Sequence, residues 1–582
     1  MPIDERYFRY REDALGKRPA ELLLTNCKLV NVLSGRIEEG VSIAISGSRV
    51  VGVGDYESLE AVDVGGQYVY PGLMDAHIHI ESSKMTIPQL ARLLSRNGTT
   101  SIFADPHEIA NVASIEGISY LLDTAAYNER LSIFFTIPSC VPAIPDPEIE
   151  TFAAYIGPTK LRTFFNNPWF VVLGEMMNMP GAIYGDPKVL EKLSDFRSLG
   201  LPIDGHAPLL RGLELNAYIY LGIRSDHEST SAEEAIEKLD RGMRIMIREG
   251  SSESNLLDLL PIVNEFNSSR IMFASDDLDP VDLAERGHIN YILRTAVAEG
   301  FDPIRAIQMA TVNVANYFGQ REIGAIFPSA RADLVIAPDL EQFQPTSVMR
   351  GGRFVFRDGE EVPVGRDVDH YLRSTMNVVL PPTDAIRVRA AGGRIRAIGV
   401  VEDQVVTTEE IIEPKLKDGQ AVADPARDLA KVCVFERHRD SGSFAVGFLK
   451  GLGLKRGAVG SSVAHDSHNI IVAGLDDRSI LKVAGRIRDL GGGQVAAAGR
   501  RLVEIPLPIA GLMSEKPFEE VVAQEREFSA FCRHDLGSNL KNPVSSLSFV
   551  SLPVIPLLKI TDKGIIQIKP GRYPQKVSLF VD

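Results

Sequence analysis

The chain has 582 residues, of which 45% are hydrophobic and 24% charged, and a formal charge of −15. That composition excludes disordered and fibrous classes, and the length demands several units or one large barrel with additions. Charges of both signs are interspersed on a negative balance, which argues against nucleic acid or an anionic membrane as partner and says little about a neutral small-molecule substrate. Cys27, Cys140, Cys433 and Cys532 have no C-x-x-C spacing, so neither a disulfide framework nor a thiolate zinc site is expected. Asp4, Glu5 and Arg6 stand where a signal peptide would need an apolar run, and no stretch reaches the ~18 apolar residues of a membrane span. A cytoplasmic protein is expected.

Residues 21–32, 40–45, 49–54 and 67–70 read as short strands broken by turns. From Gly72 the pattern becomes strand, loop and helix in alternation, as in a parallel sheet covered by helices. Strands are expected at 73–78, 100–104, 131–137, 170–174, 202–204, 223–225, 244–247 and 270–274. Eight such units in about 250 residues have the dimensions of a (β/α)8 barrel. Strand-like pieces return at 332–337, 347–350 and 353–357, with Gly351-Gly352 as a hairpin turn. The expected fold is therefore α/β. A (β/α)8 TIM-like barrel (71–321) is inserted into a small β-sandwich made by both flanks (1–70 and 322–370). A C-terminal α/β domain (371–582) follows, with an amphipathic stretch near 517–531.

The first barrel strand ends in Asp75-Ala76-His77-Ile78-His79. Side chains at i and i+2 of a strand share a face, so both imidazoles can reach one metal while Ile78 packs the other way. Barrel enzymes place catalytic groups at the C-terminal ends of strands. Candidate ligands recur there: Glu175 after strand 4, His206 after strand 5, His227 after strand 6, and Asp276-Asp277 after strand 8. This number of ligands suggests two divalent ions, the first held by His77, His79 and Asp276, the second by His206 and His227, with Glu175 bridging. Such a pair turns a bridging water into hydroxide near neutral pH, with Asp276, preferred over Asp277, as the proton shuttle. Glu175 and His227 are counted with Asp276 as catalytic.

Lower claims on the site fall to Glu81, Asp105 and His107, and to Asp277. Asp105-Pro106 also reads as a helix start, with Asp105 as cap and Pro106 at the first helical position. Ser252 and Asn255 read as caps after strand 7. His465 and His468 could form a further metal site, but a hydrogen-bonded structural role is the preferred reading. The C-terminal domain is expected to cover the barrel mouth or form a subunit interface.

With these residues in place the chain resembles the amidohydrolase superfamily and, within it, the adenine deaminase family. The superfamily likeness rests on His77-x-His79, His206, His227 and Asp276. The narrower likeness rests on Asp75 to Ser83, Ala104-Asp105-Pro106-His107-Glu108-Ile109, Gly174-Glu175-Met176-Met177, Asp226-His227-Glu228-Ser229, Met246-Ile247-Arg248-Glu249-Gly250-Ser251 and Ala464-His465-Asp466-Ser467-His468-Asn469. It departs from the pattern at Leu278-Asp279, where a basic residue usually follows the aspartate pair.

The resemblance implies hydrolysis of adenine at C6 to hypoxanthine and ammonia, in purine salvage. It further implies two Mn(2+) or Fe(2+) ions, Zn(2+) being possible in their place, and a homodimer or larger homo-oligomer. Glu175 would stand where many superfamily members bridge the metals with a carboxylated lysine. The residues by themselves leave open a related amidohydrolase acting on another purine or nucleoside. A different class, the non-catalytic metal-binding paralogue, would be expected to lack part of the ligand set. A cytidine-deaminase-type zinc site is excluded by the lack of C-x-x-C.

Overall fold

The computed structural model describes residues 5–251, 253–366, 371–401, 404–569 and 572–581. Eight parallel strands form the central unit: Leu73–Ile78, Thr99–Ala104, Ser132–Ile137, Phe170–Met176, Ile203–Gly205, Ser225–Asp226, Arg244–Arg248 and Ile271–Ala274. Strands 1 to 5 pair in order, as do strands 6 to 8. Arg224 N donates to Ile203 O at 2.9 Å, joining strands 5 and 6, and Asp276 N donates to His77 O at 2.9 Å, closing strand 8 onto strand 1. The strands are buried along nearly their whole length, as parallel strands covered by helices must be. Met74, Phe103, Val172, Met246 and Met272 pack in the barrel interior, while Ile102, Ile133, Phe135 and Leu173 face the surrounding helices.

The two flanks meet in one nine-stranded sheet. The strand Tyr68–Pro71 pairs antiparallel with Leu334–Ala337, so segments about 265 residues apart in sequence become neighbours. Leu24, Leu29, Ile43, Ile45, Leu334 and Met349 share the core of this unit. Gly351 and Gly352 take φ of 56° and 77°, the left-handed pair that a two-residue hairpin needs. The strand Ser58–Asp63 carries no sequence signal. It pairs parallel with the strand Ala20–Asn31 at the sheet edge, where Leu59 is exposed, so no alternation of apolar and polar residues is required.

A second nine-stranded sheet, spanning Arg394 to Pro506 with an added strand at Phe580–Val581, builds the C-terminal domain. The helix Asp477–Asp489 packs on it through Ile480, Val483, Ala484 and Ile487. The helix Phe518–Phe531 buries Phe518, Val521, Val522 and Phe528. Near its middle Glu525 accepts from Lys84 Nζ at 2.6 Å, and Lys84 also donates to Asp279 at 3.1 Å. The departure at Leu278-Asp279 thus leaves Asp279 pairing with a lysine from the loop after strand 1. Residues 367–370, at the sequence boundary of this domain, lie outside the described residues, as does Ser252.

Candidate metal centre

Side chains from strands 1, 4, 5, 6 and 8 converge at the C-terminal mouth of the barrel. His77 Nε2 and His79 Nε2 approach to 3.2 Å, as the i, i+2 spacing requires of rings aimed at one point. Asp75 ties the end of strand 8 to its own strand, its Oδ1 accepting from His77 N and from Ser275 N, each at 3.1 Å. His288 Nε2 lies 2.8 Å from its other oxygen.

Glu175 stands between two groups of histidines. Its Oε1 is 3.5 Å from His77 Nε2 and 3.4 Å from His79 Nε2, while its Oε2 is 2.6 Å from His206 Nδ1 and 3.4 Å from His227 Nε2. Asp276 Oδ1 is 3.1 Å from His79 Nε2 and 3.6 Å from His77 Nε2. Asp276 adopts a φ of 59°, uncommon outside glycine and often seen at functional sites. The His77, His79 and Glu175 donor atoms fall within 4.8 Å of one another, as do those of Glu175, His206 and His227, and those of His77, His227 and Asp276. Burial alone would raise Glu175 and Asp276. The histidines around Glu175, and His79 with Arg248 beside Asp276, instead hold both carboxyls well below the usual range.

The six sequence-predicted ligands are therefore brought together. Asp277 also lines the cavity, and it accepts from Ser82 Oγ. Glu81 accepts from Ile109 N at 3.0 Å and so ties the first loop to the start of the next helix. His107 Nδ1 is 3.5 Å from Glu175 Oε1, close to the histidine group.

Two capping expectations are corrected. The helix starts at His107, one residue later than expected, with Pro106 at its N-cap; Asp105 Oδ1 still accepts from His107 N at 3.1 Å. Asn255 occupies the N-cap of Leu256–Leu259 without a side-chain cap bond, because its Oδ1 faces Arg248 Nη2 at 3.5 Å.

Three further residues take part for which the sequence reading had assigned no role. Arg248, fully enclosed at the end of strand 7, donates to Asp276 Oδ2 at 2.8 Å and to Glu228 Oε1 at 2.6 Å. A lone arginine ending an apolar strand was the available signal, since a buried cation needs carboxylates. Glu108, beside His107, contacts His465 and His468 of the C-terminal domain through its two oxygens. Burial alone would lower the His465 imidazole, but the Glu108 carboxylate raises it, to about 9.

Residues 68–355 match the amidohydrolase family and residues 404–572 the adenine deaminase C-terminal domain. An adenine deaminase of Desulfatibacillum aliphaticivorans is 45% identical over 97% of this chain and 98% of its own length. The chain belongs to the adenine deaminase family. Two further members of the adenine deaminase family, from Oleidesulfovibrio alaskensis and Carboxydothermus hydrogenoformans, are 44% and 42% identical over 95% and 96% of this chain and 96% and 97% of theirs. The barrel half of these adenine deaminase homologues thus aligns together with its C-terminal domain as one full-length chain.

Proposed function

We propose that this protein hydrolyses adenine to hypoxanthine and ammonia at a centre of two divalent cations, Mn(2+) or Fe(2+). The observation that carries the reading is the division of Glu175 between two histidine groups, each oxygen facing a different pair. The full-length likeness to adenine deaminases supports the substrate. The donor set suits metal ions. His206 Nε2 is buried and makes no hydrogen bond, a condition that buried polar atoms rarely tolerate.

His77, His79 and Asp276 would hold one ion, His206 and His227 the other, and Glu175 would serve both. Bound there, the cations supply the positive charge that makes a water nucleophilic near neutral pH. The protein's own residues do the rest. Arg248 occupies Asp276 Oδ2, so Oδ1 faces the histidines and is the oxygen that takes the proton of the attacking water and returns it to the departing amino group. One C–O bond forms at C6, one C–N bond breaks, and ammonia leaves with the transferred proton.

The residue divisions 1–70, 71–321, 322–370 and 371–582 belong with this proposal, as do a cytoplasmic location and a homo-oligomeric state. All four cysteines are free and buried, in keeping with a reducing compartment. Among the described residues no helix is long and apolar enough to cross a membrane.

The test is ammonia release from adenine by Mn(2+)-loaded protein, with adenosine and chelator-treated protein in parallel. Metal-dependent turnover of adenine is the expected result. Absence of turnover with two metals demonstrably bound would overturn the substrate assignment.

A further inference from the structure

The C-terminal domain enters the wall of the metal-centre cavity. Val405, His465, Asp466, Phe549, Leu552 and Ile555 line it beside His79, Glu175, His227 and Asp276. Four of them, Val405, Phe549, Leu552 and Ile555, form a small apolar cluster of their own. The lining of the cavity thus joins this apolar cluster to imidazoles and carboxylates. A planar heterocycle has the matching anatomy, with apolar faces and a polar edge.

His465 is held in a definite pose at this boundary. Its ring lies over Phe549 with centroids 4.7 Å apart and planes within 10°. Its Nδ1 lies 2.7 Å from Glu108 Oε1. That carboxylate belongs to the barrel, on the helix that begins with His107, so the pose is set by both domains at once. Nε2 lies 4.0 Å from Asp277 Oδ2, beyond hydrogen-bond reach, and Asp277 lines the same cavity. With Nδ1 engaged on Glu108, Nε2 is the nitrogen left for a molecule inside.

We propose that His465, aligned by Glu108 and backed by Phe549, is a substrate-binding residue supplied by the C-terminal domain. Its Nε2 hydrogen-bonds the polar edge of the base, and the Val405, Phe549, Leu552 and Ile555 wall covers an apolar face. This rests on the reading of the site as an adenine deaminase and adds to it the group that orients the ring. The loop bearing His465, between the strands Ala458–Ser461 and Ile470–Gly474, therefore serves the reaction directly, beyond its contact with the barrel.

Two isosteric replacements separate the contact with Glu108 from the contact with substrate. His465→Asn keeps a polar atom where Nδ1 stands, and hence the link to Glu108, but removes Nε2. His465→Gln keeps a polar atom near Nε2 and gives up the link. Adenine kinetics and calorimetric titration with hypoxanthine would be measured on both, with metal content and melting temperature as controls. Loss of one hydrogen bond to substrate predicts a ~10- to 100-fold rise in KM and in the hypoxanthine Kd for His465→Asn, with two metals still bound. His465→Gln should lie within about tenfold of wild type, since it restores that bond. Wild-type binding by His465→Asn, or a larger loss in His465→Gln than in His465→Asn, would overturn the proposal in favour of a purely structural histidine.

Phe549→Leu gives a second reading that does not depend on either variant folding. It should weaken hypoxanthine binding by about tenfold through lost aromatic contact, and an unchanged Kd would count against the wall. Wild-type turnover of adenine checks the substrate reading separately, so its failure and the failure of this inference are distinguishable.

Discussion

Arg248 donates a 2.8 Å hydrogen bond to Oδ2 of Asp276 and so decides which oxygen of that aspartate faces the histidines. The same nitrogen reaches Glu228 Oε1 at 2.6 Å, so one buried guanidinium ties strand 7 to the ends of strands 6 and 8. Removing one partner of a buried ion pair leaves the other charge uncompensated, at a cost of ~3–5 kcal/mol. Arg248→Met should therefore lower the melting temperature and cut activity about 10- to 100-fold, the range for residues that orient metal ligands. Arg248→Lys, which can reach one carboxylate, should lose less. Thermal melts and metal analysis of both variants check this, and equal behaviour of the two would remove the buried cation from the argument.

Glu175→Gln replaces one of the two oxygens that separate the histidine groups with an amide nitrogen, which cannot ligate. Metal stoichiometry should fall below two per chain, and kcat should fall about 100-fold or more. Plasma emission metal analysis on gel-filtered protein is the deciding measurement. Two tightly held metals per chain in the variant would show that the bridge lies elsewhere.

Metal removal should cost stability as well as turnover. The folded chain gathers five buried histidines, His77, His79, His107, His206 and His227, around Glu175 and Asp276, an arrangement the unfolded chain cannot offer to an ion. A ligand present at 100 times its Kd that binds only the folded state stabilises it by about 2.7 kcal/mol. Melting temperature should rise on adding Mn(2+) to chelator-stripped protein and go on rising with the logarithm of its concentration after the sites fill. A melt indifferent to Mn(2+) would contradict a preformed site.

Gly174, next to Glu175, has no room for a side chain. A Cβ there would lie 2.2 Å from Asp105 Oδ2 and 2.6 Å from Thr136 Oγ1. Asp105 Oδ2 in turn accepts from Glu175 N at 3.3 Å, so displacing it moves the strand that carries Glu175. Gly174→Ala should destabilise by ~1–3 kcal/mol, the usual cost of overpacking, and reduce metal affinity. Urea titration and metal analysis measure the two effects, and a neutral substitution would show that Asp105 swings clear.

Lys559 is fully buried with its Nζ on Val405 O at 2.7 Å and Phe549 O at 3.0 Å, the backbone of two cavity-wall residues. Burial pushes its pKa down to about 7. An unfolded lysine keeps its proton to about pH 10.4. Between these values the unfolded state binds more protons, so this residue makes stability rise with pH across that window. The gain should reach about 3 kcal/mol from pH 7 to pH 9.5, and Lys559→Gln should lack it. Urea midpoints of both proteins at several pH values give the comparison. Parallel profiles would mean that the amine stays charged in the fold.

The barrel was legible because its chemistry is local in sequence. Each strand is a short apolar run, and each ligand lies at the end of one, so the spacing of His77 and His79 and the positions of Glu175, His206, His227 and Asp276 already marked the mouth. Which of these side chains would lie against which was not legible. It depends on the order of strands around a closed sheet, where His227 stacks on His77 with centroids 4.2 Å apart although 150 residues separate them. Asp276 and Asp277 likewise differ in partners that lie far along the chain: Arg248 and His79 contact the first, Ser82 the second. The role of the last domain lay furthest out of reach. Nothing near Glu108 announces that His465, 357 residues on, will meet it at 2.7 Å, because that contact is made by packing two separately folded cores. Local pattern determined the elements and the ligand types, since strand period and burial act over a few residues; only closure of the barrel and docking of the second sheet decided the pairs, since those contacts join residues that the chain itself keeps apart.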